Sequence, residues 1–300
     1  MNVFLTGGTG LIGSALAARL LDGGHAVAVL SRSGSPRGLP RAARIVQGDA
    51  TARGAWQDVL AGADACVNLA GEPVAGGRWT KDRKLAIRRS RVEATRRVAE
   101  VIAAGGPSVL ISGSAVGYYG PRGDEVLDES SPPGDDFLAG VCREWEDAAR
   151  PAAARARVVL LRTGIVLARR GGALAGMALP FRFFLGGPIG RGEFWQSWIH
   201  LEDEVGLVLW ALQQDGAVAG PLVATAPNPV RNRDLAAALG RALGRPSIVP
   251  VPPAALRIAL GELASVVAAG QRVLPRKALD LGYEFRFPTV DGALANLLGR

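Results

Sequence analysis

The run Leu5-Thr6-Gly7-Gly8-Thr9-Gly10-Leu11-Ile12-Gly13 constrains this chain more than any other feature. An apolar stretch at residues 3–6 precedes it and a stretch of helical spacing at 11–21 follows, so the glycines fall on a strand-to-helix turn. At GxxGxxG spacing each glycine has its own task. Gly7 permits the sharp turn, Gly10 lets the backbone approach a pyrophosphate, and Gly13 lets the helix pack closely on the strand. The helix then presents free N–H groups and the positive end of its dipole to the phosphates. The expectation is a dinucleotide-binding turn contacted through Thr6, Gly7, Gly10, Leu11, Ile12 and Gly13.

The end of the second strand separates the two nicotinamide cofactors. A site for NAD usually places a carboxylate about 20 residues beyond the glycines, on the ribose 2′-hydroxyl. Here the sequence is Leu30-Ser31-Arg32-Ser33, with a hydroxyl and a guanidinium and no carboxylate. That pair suits a 2′-phosphate, so NADP(H) is expected in preference to NAD(H), with Ser31 and Arg32 as contacts. Asp49, in Gly48-Asp49-Ala50, is a candidate for the adenine amino group or else a helix N-cap. Leu69, Ala70 and Gly71 end the fourth strand at the cofactor edge.

Apolar runs at 3–6, 26–31, 43–46, 65–70, 109–112 and 158–162 alternate with helical spacing at 11–21, 55–61, 81–104 and 142–154. Strands separated by helices, and apolar throughout, imply a parallel sheet covered on both faces. The expected fold is α/β, a Rossmann-type doubly wound sheet of about seven strands with a small C-terminal α/β lobe. Residues 1–226 form the dinucleotide-binding domain, with a glycine-broken, pocket-forming insertion near 170–198. Residues 227–300 form the smaller domain, with helices at 232–243 and 253–263 and a strand at 283–287.

The net charge of +8 is concentrated in residues 78–97, which hold nine basic and two acidic side chains. Trp79 alone is aromatic in this stretch, so no series of rings interleaves with the charges to stack bases; a solvated helix face is expected and nucleic acid is not. Two cysteines and two histidines cannot form a zinc cluster; no metal is expected. No apolar run reaches the ~20 residues of a membrane span and no secretory leader is apparent. The expectation is a cytoplasmic protein off the membrane, with a homodimer left open.

The blocks TGGTGLIG, GD, NLAG, SGSAVGYYG, LRTGIVL and SWIHLEDEV resemble, in their order, the extended short-chain dehydrogenase/reductase superfamily. NLAGEPV, CREWE and the C-terminal GQRVLPRKALDLGYEFRFPT are similar to an atypical branch of it. That branch consists of epimerase family proteins, NAD-dependent epimerase/dehydratase-like, that close with a domain of unknown function. The resemblance implies a catalytic Tyr with a Lys four residues later on one helix. Alignment on Ser114 and Glu146 places Leu138 and Cys142 at those positions, and Arg91 where a helix Asn is expected.

Ser114 alone remains of the superfamily's catalytic set. Tyr118 and Tyr119 are the substitute phenols, with Lys81, Lys84 or Arg91 as neighbouring cations, and His200 is a candidate proton-transfer group. Cys142 reads as a small buried hydrophobe. Met177, Phe181, Phe183, Phe184 and Trp195 are candidates to line a substrate pocket, and Arg162, Arg182 and Arg191 to hold an anionic substrate. Three functions are carried forward. The first is an NADP(H)-binding oxidoreductase acting on an unidentified small molecule; the others are a non-catalytic or redox-sensing NADP(H)-binding protein and a sugar-nucleotide epimerase.

Overall fold

The computed structural model describes residues 1–36, 38–214 and 216–299. Chain order in the first half is β1 (Asn2–Thr6), α1 (Leu11–Asp22), β2 (Ala26–Ser31), β3 (Arg44–Gln47), α2 (Trp56–Ala61), β4 (Ala65–Asn68) and α3 (Lys81–Ala103). It continues with β5 (Val109–Ala115), α4 (Phe137–Ala149), β6 (Arg157–Thr163), α5 (Gly172–Arg182), α6 (Leu201–Gln213) and β7 (Gly220–Ala224). These seven strands form one parallel sheet in the order β7-β6-β5-β4-β1-β2-β3. The order reverses at β1, which pairs Leu5 with Val29 on one side and Val67 on the other. A ligand crevice opens at such a reversal, at the carboxyl ends of the strands.

Both faces of the sheet are buried, as the unbroken apolar strands require. Val3 and Leu5 turn towards α1 and α6, where they meet Leu16, Leu20 and Val208. Phe4 turns the other way, into Trp56, Leu60, Val98 and Ile102 of α2 and α3. Helix starts follow local chemistry. Thr80 caps α3 by accepting from the Arg83 N–H, and Asp136 caps α4 from the Ala139 N–H. Because Asp136 supplies that cap, α4 begins five residues before the expected 142, and Pro151 accompanies its change to a 3₁₀ turn at Arg150–Ala154.

The remaining helices are α7 (Asn232–Leu243), α8 (Pro253–Leu260), α9 (Leu263–Val267), α10 (Arg276–Asp280) and α11 (Val290–Leu298). Of these, α7 and α11 share a core with the segment after β6: Leu167, Phe181 and Trp198 pack with Leu235, Leu239 and Leu294. The helix expected at 253–263 is broken at Gly261, whose φ is +61°. The strand expected at 283–287 is not formed. That segment bends at Arg286, and its Arg286 and Phe287 N–H groups go to the Asp203 carboxylate at 2.8 and 2.9 Å instead of a neighbouring strand. Among the described residues no helix is long and apolar enough to cross a membrane, and no His, Cys, Asp and Glu cluster to hold a metal.

One buried acid at the head of α6 makes stability depend on pH. Glu204 is fully buried and accepts one bond, from the Thr163 hydroxyl at 2.7 Å; its Oε2 has no hydrogen-bond partner. Burial pushes its pKa up to about 8. A folded-state pKa above the unfolded value contributes stability that is complete below about 4.5 and lost as pH rises through about 8. Chemical denaturation from pH 4 to 9 is therefore expected to show Glu204→Gln more stable than the parent at pH 9, with a flatter profile. Identical slopes in the two proteins would contradict this assignment.

Candidate functional site

The turn after β1 is built by steric necessity. Gly7 has φ +65°, and a Cβ on it would lie 2.4 Å from the Leu69 carbonyl oxygen; one on Gly13 would lie 2.3 Å from the Gly7 oxygen. Any side chain at either position would push the turn off β4 or α1 off the turn. The Gly10 N–H donates to the Gly7 oxygen at 3.0 Å, and Gly10 then starts α1 with neither a side-chain cap nor an acid in the first turn. The first N–H groups of α1 and its dipole are left for an external anion. Behind the turn, the Thr6 hydroxyl donates to Asn68 at 2.6 Å and accepts from the Ala70 N–H. Asn68 and Trp145 in turn donate to the Thr95 hydroxyl, tying β1 and β4 to α3 and α4.

A cleft of about 450 Å³ runs from this turn across the ends of β2 and β4. Of the twelve cofactor residues expected, Thr6, Gly7, Gly10, Ser31, Arg32, Asp49, Leu69, Ala70 and Gly71 line it. Leu11, Ile12 and Gly13 are not in its wall; they form the first turn of α1, where Gly13 packs against the Gly7 backbone. The sequence reading missed Thr9, Ser33, Gly48, Thr51, Glu72 and Ser90. Most of these adjoin a named motif and were recoverable as its flanks. Ser90 was not, because it reaches the cleft from the middle of α3, where its hydroxyl accepts from the Glu72 N–H.

Arg32 is 79% exposed in its side chain, and its guanidinium lies 3.9 Å from Glu72, itself 3.4 Å from Arg83. The Ser31 hydroxyl accepts from the Ser33 N–H and shapes the loop that carries Arg32. Asp49 is not a helix N-cap: α2 begins seven residues later. It closes a small loop by accepting from the Thr51 N–H and hydroxyl, both at 2.8 Å. The Thr51 N–H bond, and behind it the hydroxyl and Arg32, hold its carboxyl below the usual range.

The carboxyl end of β5 is closed by a buried ion pair. Arg162 of β6 forks onto Glu146 of α4, Nε to Oε1 at 2.8 Å and Nη2 to Oε2 at 2.9 Å, with side chains only 3% and 7% exposed. The Ser114 hydroxyl donates to the same Oε1 at 2.7 Å. Arg162 also donates to the Tyr119 hydroxyl at 3.0 Å and to the Glu129 carbonyl. Burial works against the Arg162 charge, but the bonds to Glu146 outweigh it and its pKa is raised. Arg162 is thus committed to the protein's own carboxylate and is not held out for an anionic substrate.

Of the candidate phenols, Tyr119 is fully buried, and burial raises its pKa. Tyr118 is half-buried with the Arg162 guanidinium 3.5 Å from its ring centre. The cation beside the tyrosines is therefore Arg162, not a residue of α3. Lys81 is exposed, Lys84 is paired with Glu262 and lies over the Trp79 and Phe137 rings, and Arg91 is turned to the Glu72 and Ile87 carbonyls, both at 3.0 Å. Cys142 is buried, and burial pushes its thiol up to about 12. It is no nucleophile at neutral pH.

His200 is buried as the N-cap of α6. Its Nδ1 accepts from the Glu202 N–H at 3.0 Å, so the proton sits on Nε2, which bonds Asn296 at 3.1 Å. With its ring stacked on Phe287 and burial lowering its pKa, both nitrogens are spent on structure. The aromatic supply of the insertion is also divided. Phe181 is in the core, Trp195 donates to Asp124 between Arg231 and Arg272, and Phe183 and Phe184 face solvent.

Comparison with known proteins agrees with this geometry. The model of the NAD dependent epimerase/dehydratase family matches residues 3–223, and that of a domain of unknown function, DUF1731, matches 251–297. The Epimerase family protein SDR39U1 homolog, chloroplastic, of Arabidopsis thaliana is 45% identical over 99% of this chain and 87% of its own length. The human Epimerase family protein SDR39U1 is 38% identical over 99% of this chain and all of its own. The crystal structure of the human protein (isoform 2) with NADPH superposes with a TM-score of 0.89 at 36% identity, covering 99% of both chains. A UDP-glucose 4-epimerase from Thermotoga maritima, 17% identical with a TM-score of 0.82 over 100% of this chain and 98% of its own, shares the fold. Matched by the family model over residues 3–223 and by relatives of 38% and 45% identity along nearly its whole length, this chain belongs to the NAD dependent epimerase/dehydratase family.

Proposed function

We propose that this chain binds NADP(H) and acts as an oxidoreductase on a small molecule presented at the carboxyl ends of β4 and β5. The observation that carries the proposal is the cleft itself. Its pyrophosphate end is backbone that no side chain can enter, and its ribose end offers an exposed guanidinium and a serine where a carboxylate would select NAD. The residues fit the group. The α1 N–H groups and Gly7–Gly10 would hold the pyrophosphate, Arg32 and the Ser31–Ser33 loop the 2′-phosphate, and Asp49 with Thr51 the adenine. A relative at 36% identity whose structure was solved with NADPH supports the same choice.

When bound, the nicotinamide supplies or accepts a hydride. The protein's own part is to position a partner and manage one proton. Ser114 is anchored through Glu146 to Arg162, and Tyr118 stands over that guanidinium with its hydroxyl free of any protein hydrogen bond among the described residues. Tyr118 is the candidate acid, and Ser114, whose proton is given to Glu146, is a positioning residue that holds the end of β5 against α4. A second reading, a binding protein without turnover, is favoured by Leu138 and Cys142, which replace the superfamily's acid and its cation with groups that do neither job. A sugar-nucleotide epimerase is the least supported, since epimerisation needs hydride transfer in both directions with a positioned base.

Two measurements test this. Calorimetry is expected to show tighter binding of NADPH than NADH, with Arg32→Glu reducing that preference about tenfold or more, roughly 1.4 kcal/mol. An unchanged preference would contradict the assignment of Arg32. Absorbance of the reduced nicotinamide with a panel of carbonyl compounds is expected to reveal turnover that Tyr118→Phe lowers about 10²-fold or more, with NADPH affinity intact. Tight NADPH binding with no oxidation across the panel would favour the second reading.

A further inference from the structure

Two segments outside the cleft are devoid of acids. Residues 169–192 carry four arginines and residues 235–261 three, with no aspartate or glutamate in either. Of the twelve large apolar side chains exposed among the described residues, seven lie in these two segments. The chain brings the segments together. The Val249 N–H donates to the Gly186 oxygen at 3.0 Å, the Val251 N–H to Pro188 at 2.8 Å and the Gly190 N–H to Val251 at 2.9 Å, so the turn after α5 and the approach to α8 form one lip. At its edge Phe183, Leu185 and Ile248 are 68%, 59% and 78% exposed, and Arg245 lies 4.5 Å over the Phe184 ring.

Phe184 adds a backbone cost to this exposure. Its φ of +62° makes it the sole non-glycine residue with positive φ among those described, a conformation strained for a side chain with a Cβ. Bonds from the Phe184 N–H to Phe181 and from the Leu185 N–H to Pro180 hold the turn there. The chain thus keeps a bulky ring in water in a strained conformation, beside two further exposed apolar residues. Exposed apolar patches of this kind mark interaction surfaces.

Charge selects the occupant. Arg182 and Arg245 border the apolar edge and are exposed, and no carboxylate pairs with either among the described contacts; Arg241 is already paired with Asp291. Consecutive apolar residues flanked by unpaired arginines match a layer that is anionic outside and apolar within. We propose that this lip docks peripherally on an anionic phospholipid bilayer, with Phe183, Leu185 and Ile248 entering the interface and Arg182 and Arg245 meeting the headgroups. The inference is independent of the dinucleotide reading, because none of these residues lines the cleft.

The test is co-sedimentation of the full chain with vesicles of phosphatidylcholine alone and with one quarter phosphatidylglycerol. The expected result is at least tenfold tighter binding to the anionic vesicles, weakened in 0.5 M salt. A Phe183→Ser/Ile248→Ser variant is expected to lose that binding tenfold or more, and Arg245→Glu to lose the preference for anionic lipid. Each variant's NADPH affinity, or its thermal melt where no NADPH binds, serves to show that it is folded. Equal binding to both vesicles, no binding by the folded parent, or a parent dimer that Phe183→Ser dissociates would each overturn the proposal; in the last case the lip is covered by a second copy.

Discussion

The cleft exists because two stretches of backbone approach more closely than side chains allow. Gly7 against the Leu69 carbonyl and Gly13 against Gly7 set the spacing of β1, β4 and α1 together. That spacing leaves the first turn of α1 open and points its N–H groups at the switch point of the sheet. The Thr6–Asn68–Thr95–Trp145 chain of hydrogen bonds locks it from behind, with every donor and acceptor buried at the carboxyl end of the sheet. An electrostatic site made of fixed backbone groups has little to reorganise when a ligand arrives, and the turn at the head of the cleft has this character.

The other half is organised by a charge pair instead of by backbone. Removing Arg162 and Glu146 from water is costly and is compensated only because the fork is bidentate and the spare donors reach Tyr119 and the Glu129 carbonyl. Its effect is to spend Ser114, Tyr119 and Arg162 on one another and to leave Tyr118 as the phenol with a free hydroxyl. On α4, Leu138 and Cys142 pack against Gly117 of the turn that carries the two tyrosines, and neither can move a proton there at neutral pH.

Much of this was legible in the sequence, and the reasons differ by element. The glycine turn, the apolar strands and the Ser31-Arg32 end of β2 are local features, in which residue type and backbone need coincide. Nine of the twelve expected cofactor residues line the cleft for that reason. Arg162 and His200 were opaque because their roles depend on distant partners, Glu146 in one case and Asn296 in the other. The 283–287 segment has a strand's composition but spends its N–H groups on Asp203, which no local pattern reveals. A charge count and a search for spanning segments likewise say nothing about a lip assembled from residues sixty positions apart.

The head of α6 carries three consecutive acids, and the closing segment answers the first two. Arg286 pairs with Glu202, the Arg286 and Phe287 amides cover the Asp203 carboxylate, and the Tyr283 hydroxyl donates to the Asp203 carbonyl. Asn296 holds the histidine that caps the same helix. A chain ending near residue 226 would keep every strand of the sheet yet leave the buried Asp203 carboxylate without the two amides that cover it.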